Sequence, residues 1–172
     1  MKINKITFLA LLSALSLALF SIELFFPSFP FCPAAKIGLA NAVSLFMLVN
    51  PKHFRTHDIF AVTVTRCLLA AFITGRMMSV LFSLLGGTGA VLSMLCMRRF
   101  LNEKYVVIIS VTGAIVHNLI QILVAVVIYG TMSAFYYIPS LFIAGTMSGS
   151  LIGFCVRLLN KNGFINKINR GV

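Results

Sequence analysis

Six apolar runs, separated by short polar or proline-rich breaks, organise the whole chain. They lie at about 6–26, 36–49, 58–74, 78–97, 105–129 and 136–159, and a polar tail follows at 160–172. Most approach the roughly 20 residues that an α-helix needs to cross the hydrocarbon core of a bilayer; the second is short for a full span. The breaks have a local cause. Pro27, Pro30 and Pro33 remove backbone donors and bias the residues before them away from helix, so 27–35 is read as an irregular loop, and Asn50-Pro51 ends the second run in the same way. Lys2 and Lys5 ahead of the first run imitate a signal peptide. The run is longer than a typical signal core and no small-x-small cleavage site follows, so it is read as a retained helix.

Composition turns this pattern into a fold class. Charged residues make up 10 % of the chain, against roughly 25 % in soluble domains. Mean hydropathy is +1.04. Such a chain cannot cover itself with a water-compatible surface, and the expectation is an all-α polytopic membrane protein of about six transmembrane helices. A single transmembrane domain spans 1–172 with no soluble domain.

The net charge of +11 suggests a nucleic-acid partner until its distribution is mapped. Basic residues cluster at the ends of the apolar runs without interleaved aromatics, so no nucleic-acid partner is expected. With six alternating spans, Lys2, Lys5, Lys52, Arg55, Arg98, Arg99, Lys104, Arg157, Lys161, Lys167 and Arg170 share one side. Lys36 and Arg76 lie on the other, and Arg66 lies within a span. By the positive-inside rule the first side is cytoplasmic and holds both termini. The lipid membrane is the first partner this reading requires, and the same charge attracts anionic lipid.

Small residues recur every fourth position in two runs: Ala10, Ala14 and Ala18 in the first, Gly145, Gly149 and Gly153 in the last. In lipid, such ladders let helix backbones approach closely. The glycine ladder is expected to serve packing within the chain. The alanine ladder fits either internal packing or a partner helix.

Polar residues inside spans carry the functional signal, because burying them in hydrocarbon is costly. Arg66 lies near the middle of the third run. His117, Asn118 and Gln121 share one face of the fifth, being three or four residues apart. Asn41 lies one turn into the second run. These five are the candidate solute-binding residues of a pocket open to the outside, with Glu23, Lys36 and Arg76 at its mouth. The alternative is a packing network in which Arg66 is tied to the helix amides or to Glu23.

Enzyme chemistry finds little support. Glu23, Asp58 and Glu103 are the only acidic residues, and none adjoins another, so no catalytic carboxylate pair or aspartate-rich magnesium diphosphate motif exists. Gly86, Gly87 and Gly89 lack the Gly-Lys-Ser/Thr of a phosphate-binding loop and fall inside an apolar run. Cys32, Cys67, Cys96 and Cys155 show no metal-ligand spacing. No catalytic residue, metal site or cofactor is expected.

Several segments together carry a resemblance: Lys36-Ile-Gly-Leu-Ala-Asn41 after the proline loop, Arg66 and the apolar run to Gly75, Phe82-Ser83-Leu84 before Gly86-Gly87, His117-Asn118-x-x-Gln121, and Tyr137-x-Pro139. Over about 9–159 the chain resembles the bacterial Gx transporter family, also labelled heptaprenyl diphosphate synthase component I. That family looks related to the substrate-binding S components of energy-coupling factor transporters. The resemblance implies a bacterial cytoplasmic membrane protein that binds a small solute, with a transmembrane coupling protein and ATPases as partners. It also implies that the face bearing Ala10, Ala14 and Ala18 meets the coupling protein. The second label implies instead a non-catalytic accessory subunit of a polyprenyl diphosphate synthase, partnered by a soluble synthase.

Overall fold

In hydrocarbon a backbone finds no solvent to bond to, so each apolar run must satisfy its own amides as a helix. The computed structural model describes residues 5–25, 38–75 and 77–161, and these are helical nearly throughout. The elements are α1 (Lys5–Phe25), α2 (Asn41–Val49), α3 (Thr56–Thr74), α4 (Met77–Phe100), α5 (Val106–Tyr129) and α6 (Ile138–Lys161). Two 3₁₀ turns, Glu103–Tyr105 and Met132–Tyr137, precede α5 and α6. Five of the helices are long and apolar enough to cross a membrane, and α2 is the exception.

The second helix departs from the 36–49 expected. It begins at Asn41, and its 9 residues rise only about 14 Å, half of a bilayer core. The cause is local. Gly38 is left-handed at φ +75°, and the Glu23 carboxylate from α1 accepts the N–H groups of Gly38 (2.7 Å) and Leu39 (3.1 Å). Those donors are capped by a side chain rather than drawn into a longer helix. Val43 to Val49 are all buried, so α2 is a short central post rather than a lipid-facing span.

Despite its length, α2 returns the chain to the end where α1 begins. Phe54, just beyond α2, stacks on Phe8 near the start of α1 at 5.7 Å, and Lys5 pairs with Asp58 in the first turn of α3 at 2.7 Å. Arg98 in the last turn of α4 donates to the Leu48 carbonyl at the end of α2. The alternation inferred from the charges therefore survives. Every described Lys and Arg except Arg66 lies at or within about a turn of this one end: Lys5, Lys52, Arg55, Arg98, Arg99, Lys104, Arg157 and Lys161.

The main core joins α1, α2, α3, α4, α5 and α6 around Leu45, Met47, Val62, Val91, Ile109 and Ile152. The closest pair is α5 with α6. A Cβ on Gly149 would lie 2.6 Å from Val111 Cα, and one on Gly153 2.7 Å from Val107 Cα. The glycine ladder is internal packing, as expected. Ala10, Ala14 and Ala18 are instead exposed, and α1 packs inwards through Leu12, Ser13, Ser16 and Phe20.

Candidate functional site

The polar site forms where α1, α2, α3, α4 and α5 converge, about midway along α3 and α5 and away from the basic end. Phe20, Glu23, Gly38, Asn41, Arg66, Ser83, His117 and Gln121 line one narrow void. Five expected residues (Glu23, Asn41, Arg66, His117 and Gln121) thus surround a common space. The void measures about 20 Å³, room for a water or so.

Arg66 is the group hardest to explain by packing. It is 5 % exposed, and its Nε has no hydrogen-bond partner. Its Nη2 reaches only the soft Sγ of Cys67, at 3.8 Å. No carboxylate among the described residues pairs with it, so the tie to Glu23 offered by the alternative packing network is absent. Glu23 lines the same void but is committed to the two backbone N–H groups that start α2. A buried guanidinium with an unpartnered Nε–H is costly, because its lost hydration is not replaced. A guanidinium is suited to contact with an oxyanion.

Opposite Arg66, Asn41 Nδ2 and His117 Nδ1 lie 3.4 Å apart, linking the first residue of α2 to the middle of α5. Gln121, one turn beyond His117, is buried beside them. Asn118 turns a different way. It shares the face of α5 but sends its Nδ2 to the Leu141 carbonyl of α6 at 3.3 Å, and it lines an adjoining void of about 10 Å³ with Leu45, Met94 and Ile152. Gly38, Asn41 and His117 border both voids, so the two are neighbouring chambers. Lys36 and Arg76, expected at the mouth, lie outside the described residues.

The Gly86-Gly87 step, set aside above as a false phosphate loop, is part of the site wall. A Cβ on Gly86 would stand 3.1 Å from His117 Cε1 and 3.4 Å from Gln121 Cγ, and one on Gly87 3.3 Å from Arg66 Nη2. Two adjacent glycines inside an apolar span cost helix stability, and that cost was the available signal of close approach. Ser83 completes the wall one turn earlier. No group of three metal-ligating residues occurs among the described residues.

A helical membrane bundle enclosing a buried, one-sided cationic site is the class these observations define. The chain belongs to the heptaprenyl diphosphate synthase component I family, whose model matches residues 12–159 and so includes every residue of the site. Neither the curated proteins nor the solved structures yielded a match to the chain.

Proposed function

We propose that this chain is a membrane-embedded solute-binding protein that assists uptake of a small solute carrying an anionic or strongly polar group. The observation carrying this reading is Arg66: a buried guanidinium with an unpartnered Nε, beside a void also lined by Asn41, His117 and Gln121. Arg66 supplies the fixed charge, and the amides and imidazole orient the remainder of the solute by hydrogen bonds. Asn118 and the second chamber extend the site towards α6. Entry occurs from the end opposite the basic one, which the charge bias places outside a bacterial cytoplasmic membrane. The chain holds no nucleotide-hydrolysing motif, so a transmembrane coupling protein with ATPases provides the energy.

The family description favours a second reading, in which the chain is an accessory membrane subunit for a soluble polyprenyl diphosphate synthase. One experiment separates the two. The wild-type chain and Arg66→Met are purified from native membranes, and bound small molecules and proteins are identified by mass spectrometry. The first reading expects a co-purifying anionic or polar solute that Arg66→Met loses, together with a coupling protein and ATPases. Met relieves the unpaired charge, so the variant should melt at the same temperature or higher. Recovery of a soluble synthase, with no solute lost on substitution, would establish the second reading instead.

A further inference from the structure

The basic end carries a second candidate site, remote from Arg66. A cleft of about 480 Å³ opens between the start of α3 and the last turns of α4, lined by Thr56, Leu95, Cys96, Arg98 and Arg99. It is far larger than either polar chamber. Its charge is not neutralised by Asp58, which is already engaged by Lys5 at 2.7 Å and by the Arg55 N–H at 2.8 Å. Arg99 is exposed and has no acidic partner among the described residues.

What distinguishes this cleft from a merely basic surface is the helix face that leads to it. Leu81, Leu85, Leu92, Cys96 and Arg99 are all exposed, and their spacings of four, seven, four and three place them on one face of α4. That face runs about 27 Å from Leu81 to Arg99. It is apolar along the bilayer core and ends in a guanidinium at the interface, with exposed Phe100 next to it. An amphiphile standing upright in the leaflet at the basic end, about 15 Å deep, lies against the part of this face nearest Arg99, with hydrocarbon at Leu92 and the anionic head at the arginine. A soluble anion would have no use for the leucine track.

We propose that this cleft holds the phosphate head group of an anionic membrane phospholipid, with an acyl chain laid along the Leu92–Arg99 part of that face of α4. Arg99 supplies the movable cation and Thr56 a hydroxyl donor. Arg98, already donating to the Leu48 carbonyl, gives fixed charge and ties the lipid site to the closed end of α2.

The test uses the full chain in a neutral detergent, with phosphatidylglycerol or phosphatidylcholine of identical acyl chains added and retained lipid counted by native mass spectrometry. The wild type should retain phosphatidylglycerol over phosphatidylcholine by about fivefold or more, the scale set by one interfacial cation. Arg99→Gln should remove most of that preference and Arg99→Lys should restore part of it. Arg98→Gln is avoided because it would also release the end of α2. Location is read at Cys96, whose maleimide labelling, followed by peptide mapping, should slow with phosphatidylglycerol and not with phosphatidylcholine. Equal retention of the two lipids overturns the proposal, and so does an Arg99→Gln variant that keeps the preference. Protection of Cys96 by inorganic phosphate or by an acidic peptide as strong as that by phosphatidylglycerol also overturns it, assigning the cleft to a free anion or to a protein partner.

Discussion

Small residues recur at every fourth position on both α6 (Gly145, Gly149, Gly153) and α1 (Ala10, Ala14, Ala18), yet the two ladders meet opposite surroundings. The glycines are pressed against the backbone of α5, while the alanines lie exposed on the outside of the bundle. Spacing is therefore insufficient to tell an interior face from an exterior one. The discriminating feature is what lies elsewhere on the helix. On α1, Ser13, Ser16 and Glu23 run at spacings of three and seven, and this polar stripe, with Phe20 on the same side, is the face that turns inwards. Ser16 donates to the Ala40 carbonyl at 3.0 Å and Glu23 caps the start of α2. On α6 the glycine ladder itself is flanked by buried Ser148, while Thr146 and Ser150, on a more exposed face, bond their hydroxyls to the helix's own carbonyls. In lipid, polarity and close packing define the inside, and large apolar side chains are left to the membrane.

The largest effect that would break this contrast belongs to Gly149. Alanine normally improves a helix over glycine by about 1 kcal/mol. Here the new Cβ would sit 2.6 Å from Val111 Cα and 3.1 Å from Val111 N, and backbone atoms cannot swing away. Overpacking of this kind costs about 1–3 kcal/mol and should win. Gly149→Ala should lower the melting temperature of the purified protein, and Gly149→Leu should prevent folding. Gly145→Ala should be milder, since its nearest backbone neighbour, Ile115 Cα, is 3.4 Å away. Equal tolerance at 145 and 149 would contradict the α5–α6 register.

An intermediate effect is expected at Gly86, on the wall of the polar site. A Cβ there meets the His117 ring at 3.1 Å, a side chain that can yield by a few tenths of an ångström. The helix gain and the crowding nearly cancel, so Gly86→Ala should change stability by less than about 1 kcal/mol. It should nevertheless spread the Asn41–His117 contact, 3.4 Å in the native chain. Solute affinity should fall about tenfold, the cost of roughly one hydrogen bond to a buried polar group. Calorimetry of solute binding beside a thermal melt checks both halves. An unchanged affinity would remove the imidazole from the site.

The sequence made the fold class, the alternation of spans and most of the site legible, for the same physical reason. Hydrocarbon penalises Arg66, His117, Gln121 and Asn41 wherever they are not gathered inside, so their presence in apolar runs already required convergence. The start of α2 was not legible, because it depends on a contact between Glu23 and the Gly38 and Leu39 amides fifteen and sixteen residues on. The direction of Asn118 was hidden for a similar reason. Helical spacing groups it with Gln121, but the Leu141 carbonyl of α6 decides where its amide points. Gly86 and Gly87 stand out in their apolar run, and in a membrane span such a pair signals close helix approach rather than a phosphate loop.

The smallest effect on stability, and the sharpest on function, is expected at Ala14. Its side chain is exposed, so Ala14→Leu creates no clash inside the chain and merely adds apolar surface to a lipid-facing ridge. Surface changes of this kind alter stability by about 0.5 kcal/mol or less. Solute affinity should also be preserved, because Phe20 and Glu23 line the polar void from another face of α1. A partner helix is a different matter. Seated on Ala10, Ala14 and Ala18, it would be held off by the added isobutyl group, and the lost close contacts have no hydrophobic compensation between helices in lipid. The expected outcome is a variant that melts and binds solute like the wild type but no longer pulls down a transmembrane coupling protein, with Ala10→Leu/Ala14→Leu more complete. Retention of that protein by the double variant would exclude the ridge as its docking face. Loss of the fold would mean that the ridge packs internally after all, and the contrast with α6 would collapse.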